Sequence, residues 1–282
     1  MTVRRLLFVV GILAFGAMAT ACSSESTFPD GSFAVVANSD IGTGPSRLLV
    51  GVIQEGGLRI GSSDDTLELE VAPVDDPTQT QRAPAGFTWL APDAFGLYRG
   101  DFEFDRPGSW LLTVHPDSGD PFEPVEFTVL AETLSPNVGE AAPVAPTPTL
   151  ADLPMEELTT DPNPDERFYE LSLADALASG RETVLVFATP AYCRTATCGP
   201  VLENTKQVAG DYPDVNFLHV EVYTGLTDPE FVPDAAHLAP AVGPEYWSLP
   251  SEPWVFVISE TGIVTARFEG VMESEELAAH LG

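Results

Sequence analysis

TVLVFATPAYCRTATCGP, residues 183–200, decides how the second half of this chain is read. Thr183 to Phe187 is apolar without interruption, the pattern of a strand covered on both faces. Two cysteines follow at 193 and 198, and Val201-Leu202 starts a helical run to about Ala209. A thiolate is the nucleophile of disulfide exchange, and the positive end of a helix lowers a nearby thiol pKa. Cys193 and Cys198 stand where a reactive pair gains most, after a buried strand and at a helix start, with Arg194 as a neighbouring positive charge. On a continuous helix, residues five apart are rotated by roughly 140° and rise about 7.5 Å. A disulfide wants Cα atoms about 4.4–6.8 Å apart. Either the pair bridges a non-helical loop, with Pro200 as the first residue of the helix, or no bridge forms. Thr195, Thr197 and Gly199 fit a loop, which is the expectation.

Outward from this stretch, strand and helix alternate. Ser172 can cap a short helix that ends at Gly180. Val215 to Val222 reads as a strand. After a long loop, so do Trp254 to Ile258 and Ile263 to Phe268, joined by a turn at Thr261-Gly262. Glu273 to Leu281 reads as a helix. With Ser251-Glu252-Pro253-Trp254 ahead of the penultimate strand, residues 166–282 resemble the thioredoxin superfamily.

The resemblance implies an α/β thioredoxin-like fold and a cis-proline at Pro253 facing the cysteines, its backbone edge open to a partner's peptide. It also implies that Cys193 attacks a partner disulfide and that Cys198 resolves the mixed disulfide. The chain departs from the superfamily twice. Four residues separate the cysteines where two are usual, and Thr183 to Phe187 lacks the acid that thioredoxins bury there. Proton handling then falls to Glu252 or to water; the plainer reading of Glu252 is a loop carboxylate bonded to backbone.

The opening residues set the compartment. Arg4 and Arg5 precede an apolar run from Leu6 to Ala19, and Ala19-Thr20-Ala21 leads directly into Cys22. Residues 1–21 read as a secretory signal, too short for a comfortable bilayer span. Small residues ending on a cysteine resemble the bacterial lipoprotein processing site, so Cys22 is expected to carry lipid and residues 22–30 to form a polar tether. An ordinary signal with an incidental cysteine is the alternative. The protein is then expected on the extracytoplasmic side of the cell membrane, anchored without spanning it. Of the three cysteines, Cys193 and Cys198 remain, in a disulfide-permissive space.

Residues 31–130 read as all-β. Leu67, Leu69 and Val71 alternate with Glu68 and Glu70, and Trp110, Leu112 and Val114 share a face, as do Val125, Phe127 and Val129. Asp105-Arg106-Pro107-Gly108 reads as a hairpin turn. Regular short strands indicate a small sandwich, and Tyr98 to Val114 resembles immunoglobulin-like modules of bacterial envelope proteins. Residues 131–165 hold seven prolines and little aromatic content, and are expected to be an extended linker unable to bury a core.

The chain has 43 acidic and 12 basic residues, a formal net charge of −31. Such a field repels nucleic acid, which is excluded as a partner. The expected partners are extracytoplasmic proteins with thiols or disulfides, and the expected activity is thiol–disulfide exchange without a cofactor. Two rivals stand beside it. Envelope copper chaperones of the Sco kind use a cysteine pair and a distant histidine, here Cys193, Cys198 and His237, since thiolates suit Cu(I). Alternatively, the disulfide is a structural staple in a binding lipoprotein. His219, inside a predicted strand, reads as a satisfied core histidine. Trp247 and Trp254 are either groove or core.

Overall fold

The alternation read from residues 67–71 is real: Leu67, Leu69 and Val71 are buried, while Glu68 and Glu70 turn outward to Arg82. The computed structural model describes residues 28–91 and 95–282. The expected signal 1–21, the lipidation site Cys22 and the following residues to Thr27 lie outside the described residues.

The first sheet comprises β1 (Phe33–Val36), β2 (Gly44–Ile53), β3 (Arg59–Ile60), β4 (Leu67–Pro73), β5 (Gln81–Ala91), β6 (Phe95–Phe104), β7 (Gly108–Pro116) and β8 (Val125–Val129). The order is β1-β2-β6-β5-β4-β7-β8, with β3 on β2, and the paired strands run antiparallel. The inward faces meet around Phe104, whose ring lies 4.9 Å from Trp110 and 5.7 Å from Phe127, edge to face.

Two expectations need correction here. The strands form one nearly closed sheet, not two separate sheets stacked as a sandwich. The cause is β5, whose first residues pair with β4 through Ala85 and whose later ones pair with β6 from Gly86 onward. The sheet turns a corner inside that strand, and Gly42 bridges Leu130 across the remaining gap. Second, Asp105 to Gly108 is no hairpin turn. It joins β6 to β7, which pair with different neighbours, so the chain arches between distant parts of the sheet. Gly108 takes the positive φ of 129° that the turn requires.

The second half holds α1 (Met155–Leu158), α2 (Leu173–Ala178), β9 (Thr183–Ala188), α3 (Cys198–Ala209), β10 (Asn216–Glu221), β11 (Trp254–Ile258), β12 (Val264–Glu269) and α4 (Ser274–Ala278). Its mixed sheet runs β10-β9-β11-β12, with β10 parallel to β9 and the other pairs antiparallel. Every residue of β9 is buried. Val184, Val186 and Ala188 pack with Val201, Leu202 and Val208 of α3, while Leu185 and Phe187 face Leu173 of α2, Trp247 and Phe256 on the other side. Trp247 and Trp254 are fully buried, so both are core. Ser172 caps α2 by accepting from the Asp175 N–H, as its position predicted. The last helix is shorter than expected, ending at Ala278.

Residues 131–165 are no free linker. Gly139 and Ala142 donate backbone hydrogen bonds to Val264 and Gly262 (both 2.9 Å), and Ala142, Ala145 and Leu158 are buried in the cores of the second half. Small residues in extended backbone lie flat against a strand, which is how a proline-rich stretch joins a core without bulk.

The two sheets are fastened at a charged seam. Arg267 of β12 donates to Asp40 Oδ2 at 2.9 Å, and Arg47 of β2 pairs with Glu276 of α4, which Arg99 also reaches at 3.0 Å. The Ser39 N–H donates to Glu269 at 2.9 Å. Among the described residues no helix is long and apolar enough to cross a membrane.

Candidate functional site

β9 delivers the chain to the cysteine loop at the edge of its buried core. There Tyr192 N–H bonds back to Thr189 O at 3.2 Å, and Ala196 adopts a left-handed φ of 60°. This turn lets the loop close. The two sulfurs lie at bonding distance, with Cα atoms 5.9 Å apart. Cys193 is in the loop and Cys198 opens α3, two residues earlier than the expected start at Pro200. The bridge therefore spans a non-helical loop, which resolves the geometric objection to a five-residue separation.

The cysteines are not equivalent. Cys193 is part-exposed, whereas Cys198 is completely buried. The Cys198 N–H, at the N-terminus of a twelve-residue helix, points at Cys193 Sγ from 3.2 Å. The Thr195 hydroxyl sits 3.3 Å and the Thr197 hydroxyl 3.9 Å from the same sulfur. Backbone N–H, hydroxyls and helix dipole all favour negative charge on that sulfur over its partner.

The Glu252–Pro253 peptide bond is cis, and Pro253 is buried. Its carbonyl accepts from Gly270 N–H at 2.9 Å. The neighbouring Ser251 hydroxyl donates to Glu269 at 2.8 Å and accepts from Trp254 Nε1 at 3.2 Å. Glu269 also holds Ser39, so the first sheet helps brace the proline loop. Burial pushes the Glu252 carboxyl above its ordinary range, and the positive Arg194 draws it back. Among the described residues no hydrogen bond reaches that carboxylate, so Glu252 is not the backbone-bonded loop acid of the plainer reading.

His237 Nδ1 pairs with Asp234 at 3.0 Å, and its ring lies 5.2 Å from Phe231. Among the described residues no three His, Cys, Asp or Glu side chains gather into a metal-binding group, so His237 and the cysteines are not brought together as ligands. His219 is a satisfied core histidine. Its Nε2–H donates to Ala188 O at 3.1 Å, and Nδ1 accepts from Tyr169 OH at 2.7 Å. Burial pushes its pKa down to about 4.

Sequence reasoning missed Glu221. This buried residue pairs in register with Ala188, the last residue of β9. Burial raises its carboxyl, against hydrogen bonds to Oε2 from the Thr160 N–H and hydroxyl, both 2.8 Å. The Thr160 hydroxyl in turn accepts from Ala191 N–H at 3.1 Å, in the cysteine loop. The one acid in a strand buried along its whole length was the available signal. A cleft of about 670 Å³ lies elsewhere, at the seam. Its arginines Arg47, Arg99 and Arg267 are already held by Glu276 and Asp40. Compared with protein-family models and with curated proteins, the chain matches none.

Proposed function

We propose that residues 166–282 are a thioredoxin-like domain whose Cys193–Cys198 pair exchanges disulfides with proteins outside the cytoplasm. In this reading the chain is held to the membrane by lipid on Cys22, and the first sheet is an accessory β-domain. The carrying observation is the asymmetry of the pair: Cys193 is reachable and faces the helix N-terminus, while Cys198 is sealed beneath it. A staple needs no such difference, because inert thiols are buried and reactive ones part-exposed. The cis bond before Pro253 supports the same reading.

In the reduced chain the Cys193 thiolate attacks one sulfur of a partner disulfide. The partner's other sulfur leaves and takes up a proton. Cys198 then gives up its proton and attacks Cys193 Sγ, re-forming the Cys193–Cys198 bond and releasing the partner's second sulfur as a thiol. Two electrons and two protons pass to the partner, and the reverse sequence oxidises a dithiol.

The test is a titration of residues 23–282 against glutathione buffers, reading the reduced fraction by alkylation and mass. A reversible two-electron transition between about −120 and −270 mV is expected. A bridge that resists reduction below about −300 mV would make it a staple and end the exchange reading. Lipidation is checked separately: palmitate labelling of the full chain in a bacterial host should vanish with Cys22→Ser.

A further inference from the structure

We propose that the surface beside Cys193 receives a cationic, thiol-bearing segment of the partner, an inference that rests on the exchange reading above. Four rings run away from the cysteine loop. Tyr192, next to Cys193, lies 6.3 Å from Tyr223 and 5.1 Å from Phe231, and Phe231 lies 6.1 Å from Tyr223 and 5.2 Å from His237. All four are half-buried, and Tyr192 and Phe231 belong to none of the hydrophobic cores among the described residues. A ring cluster assembled outside a core leaves apolar surface for a visitor. Its ring faces are negative and attract ammonium or guanidinium groups.

The surrounding charges select the same visitor. Between Val222 and Pro253 the chain carries Asp228, Glu230, Asp234, Glu245 and Glu252, and no Lys or Arg. Among the described residues none of the five pairs with Lys or Arg, and only Asp234 has an ionisable partner, His237. Asp228, Glu230 and Asp234 flank Phe231 closely along the chain. Arg194 is the one cation of the cysteine loop, and its charge is felt by Glu252 and Tyr223. An anionic segment meets unpaired carboxylates, and a neutral one gains only the rings. A cationic segment gains both, after attraction at longer range by a chain of net charge −31.

With the pair oxidised, the segment's thiolate attacks Cys193 Sγ, the Cys193–Cys198 bond breaks, and Cys198 leaves as a thiolate that takes up a proton. A second thiol of the segment loses its proton and attacks the segment's own sulfur in the mixed disulfide. The segment's disulfide forms and Cys193 is released, so two electrons pass from the dithiol to the pair.

The experiment mixes the oxidised full chain in stopped flow with dithiol peptides of equal length, flanked by Arg or by Glu, with dithiothreitol as the neutral reference. Each rate is divided by that peptide's rate with 2-hydroxyethyl disulfide, which removes differences in thiol acidity. The Arg-flanked peptide should react about tenfold faster at low salt. The advantage should collapse in 1 M NaCl, where screening acts within about 3 Å. Asp228→Asn with Glu230→Gln and Asp234→Asn should erase the advantage, and Tyr192→Ala with Phe231→Ala should reduce it. Neutralising the exposed Asp117, Asp120 and Glu123 of the first half should leave it unchanged. Equal rates for both peptides, with normal reduction by dithiothreitol, would overturn the cationic partner and leave the exchange reading standing. A pair that dithiothreitol does not reduce would bring down both.

Discussion

His219 shows how a buried side chain far from the chemistry sets the acid limit of the fold. In the folded chain its imidazole is neutral, Nε2–H bonded to Ala188 O and Nδ1 to Tyr169 OH, with its pKa pushed to about 4 by burial. Unfolded, it returns to about 6.5. A depressed folded value contributes stability that is fully present above pH 6.5 and is lost as pH falls toward 4, on the order of 3 kcal/mol. Glu221 works in the opposite sense. Its raised carboxyl favours the fold at low pH, and that contribution fades as pH rises past the ordinary carboxyl range. Comparing the native chain with His219→Gln isolates the histidine. Urea unfolding at pH 7 and pH 4 should show the native chain losing about 3 kcal/mol more than the variant, and equal losses would refute the assignment. Both residues lay inside one predicted strand. The histidine was legible because its immediate neighbours Leu218 and Val220 are apolar; the acid was not, because its partner Thr160 lies 61 positions away in sequence.

At the scale of elements, strands buried on both faces were the easiest to read. Thr183 to Phe187 and Trp254 to Ile258 match β9 and β11 within a residue, because an unbroken apolar run admits few other placements. Alternation in the first half gave the inward faces of its strands but not their partners, since pairing is a property of two segments. Hence the closure of that sheet and the arch from β6 to β7 went unseen. The stretch 131–165 was misread for another reason: composition reports apolar bulk, and its attachment runs through backbone hydrogen bonds and small side chains. Part of that attachment is an ion pair to α3, where the Lys206 ammonium reaches the buried Asp161 at 2.7 Å and Asn163 O at 2.9 Å. Lys206→Met would leave Asp161 buried without its cation. Denaturant unfolding should show a loss of about 3–5 kcal/mol, and a loss below about 1 kcal/mol would mean that the helix does not need this tie.

Across the whole molecule, the seam was invisible in the sequence, because Asp40, Arg267 and Glu269 look like any surface charges until partners 227 and 230 positions away arrive. Asp40 is buried, and besides Arg267 it accepts from the N–H groups of Leu134 and Ser135. Arg267 also stacks over the Trp254 ring at 4.9 Å, beside the proline loop. Arg267→Met should therefore cost about 3 kcal/mol or more and loosen both halves. Tryptophan fluorescence reports this through Trp89 and Trp110 in the first sheet and through Trp247 and Trp254 in the core of the second half. One shared transition is expected for the native chain and two separated ones for the variant; an unchanged single transition would show that the halves are coupled by other contacts.

The seam also imposes an order of assembly. As the chain emerges from its N-terminus, β1 to β8 can pair with one another long before β12 exists. Through that interval the loop carrying Asp40 has no guanidinium to meet, and Arg47 has no Glu276. The first sheet is finished only by residues in the last twentieth or so of the chain, and those residues also buttress the proline loop. A newly made chain thus brings its proline loop to final form in the same late step that neutralises Asp40.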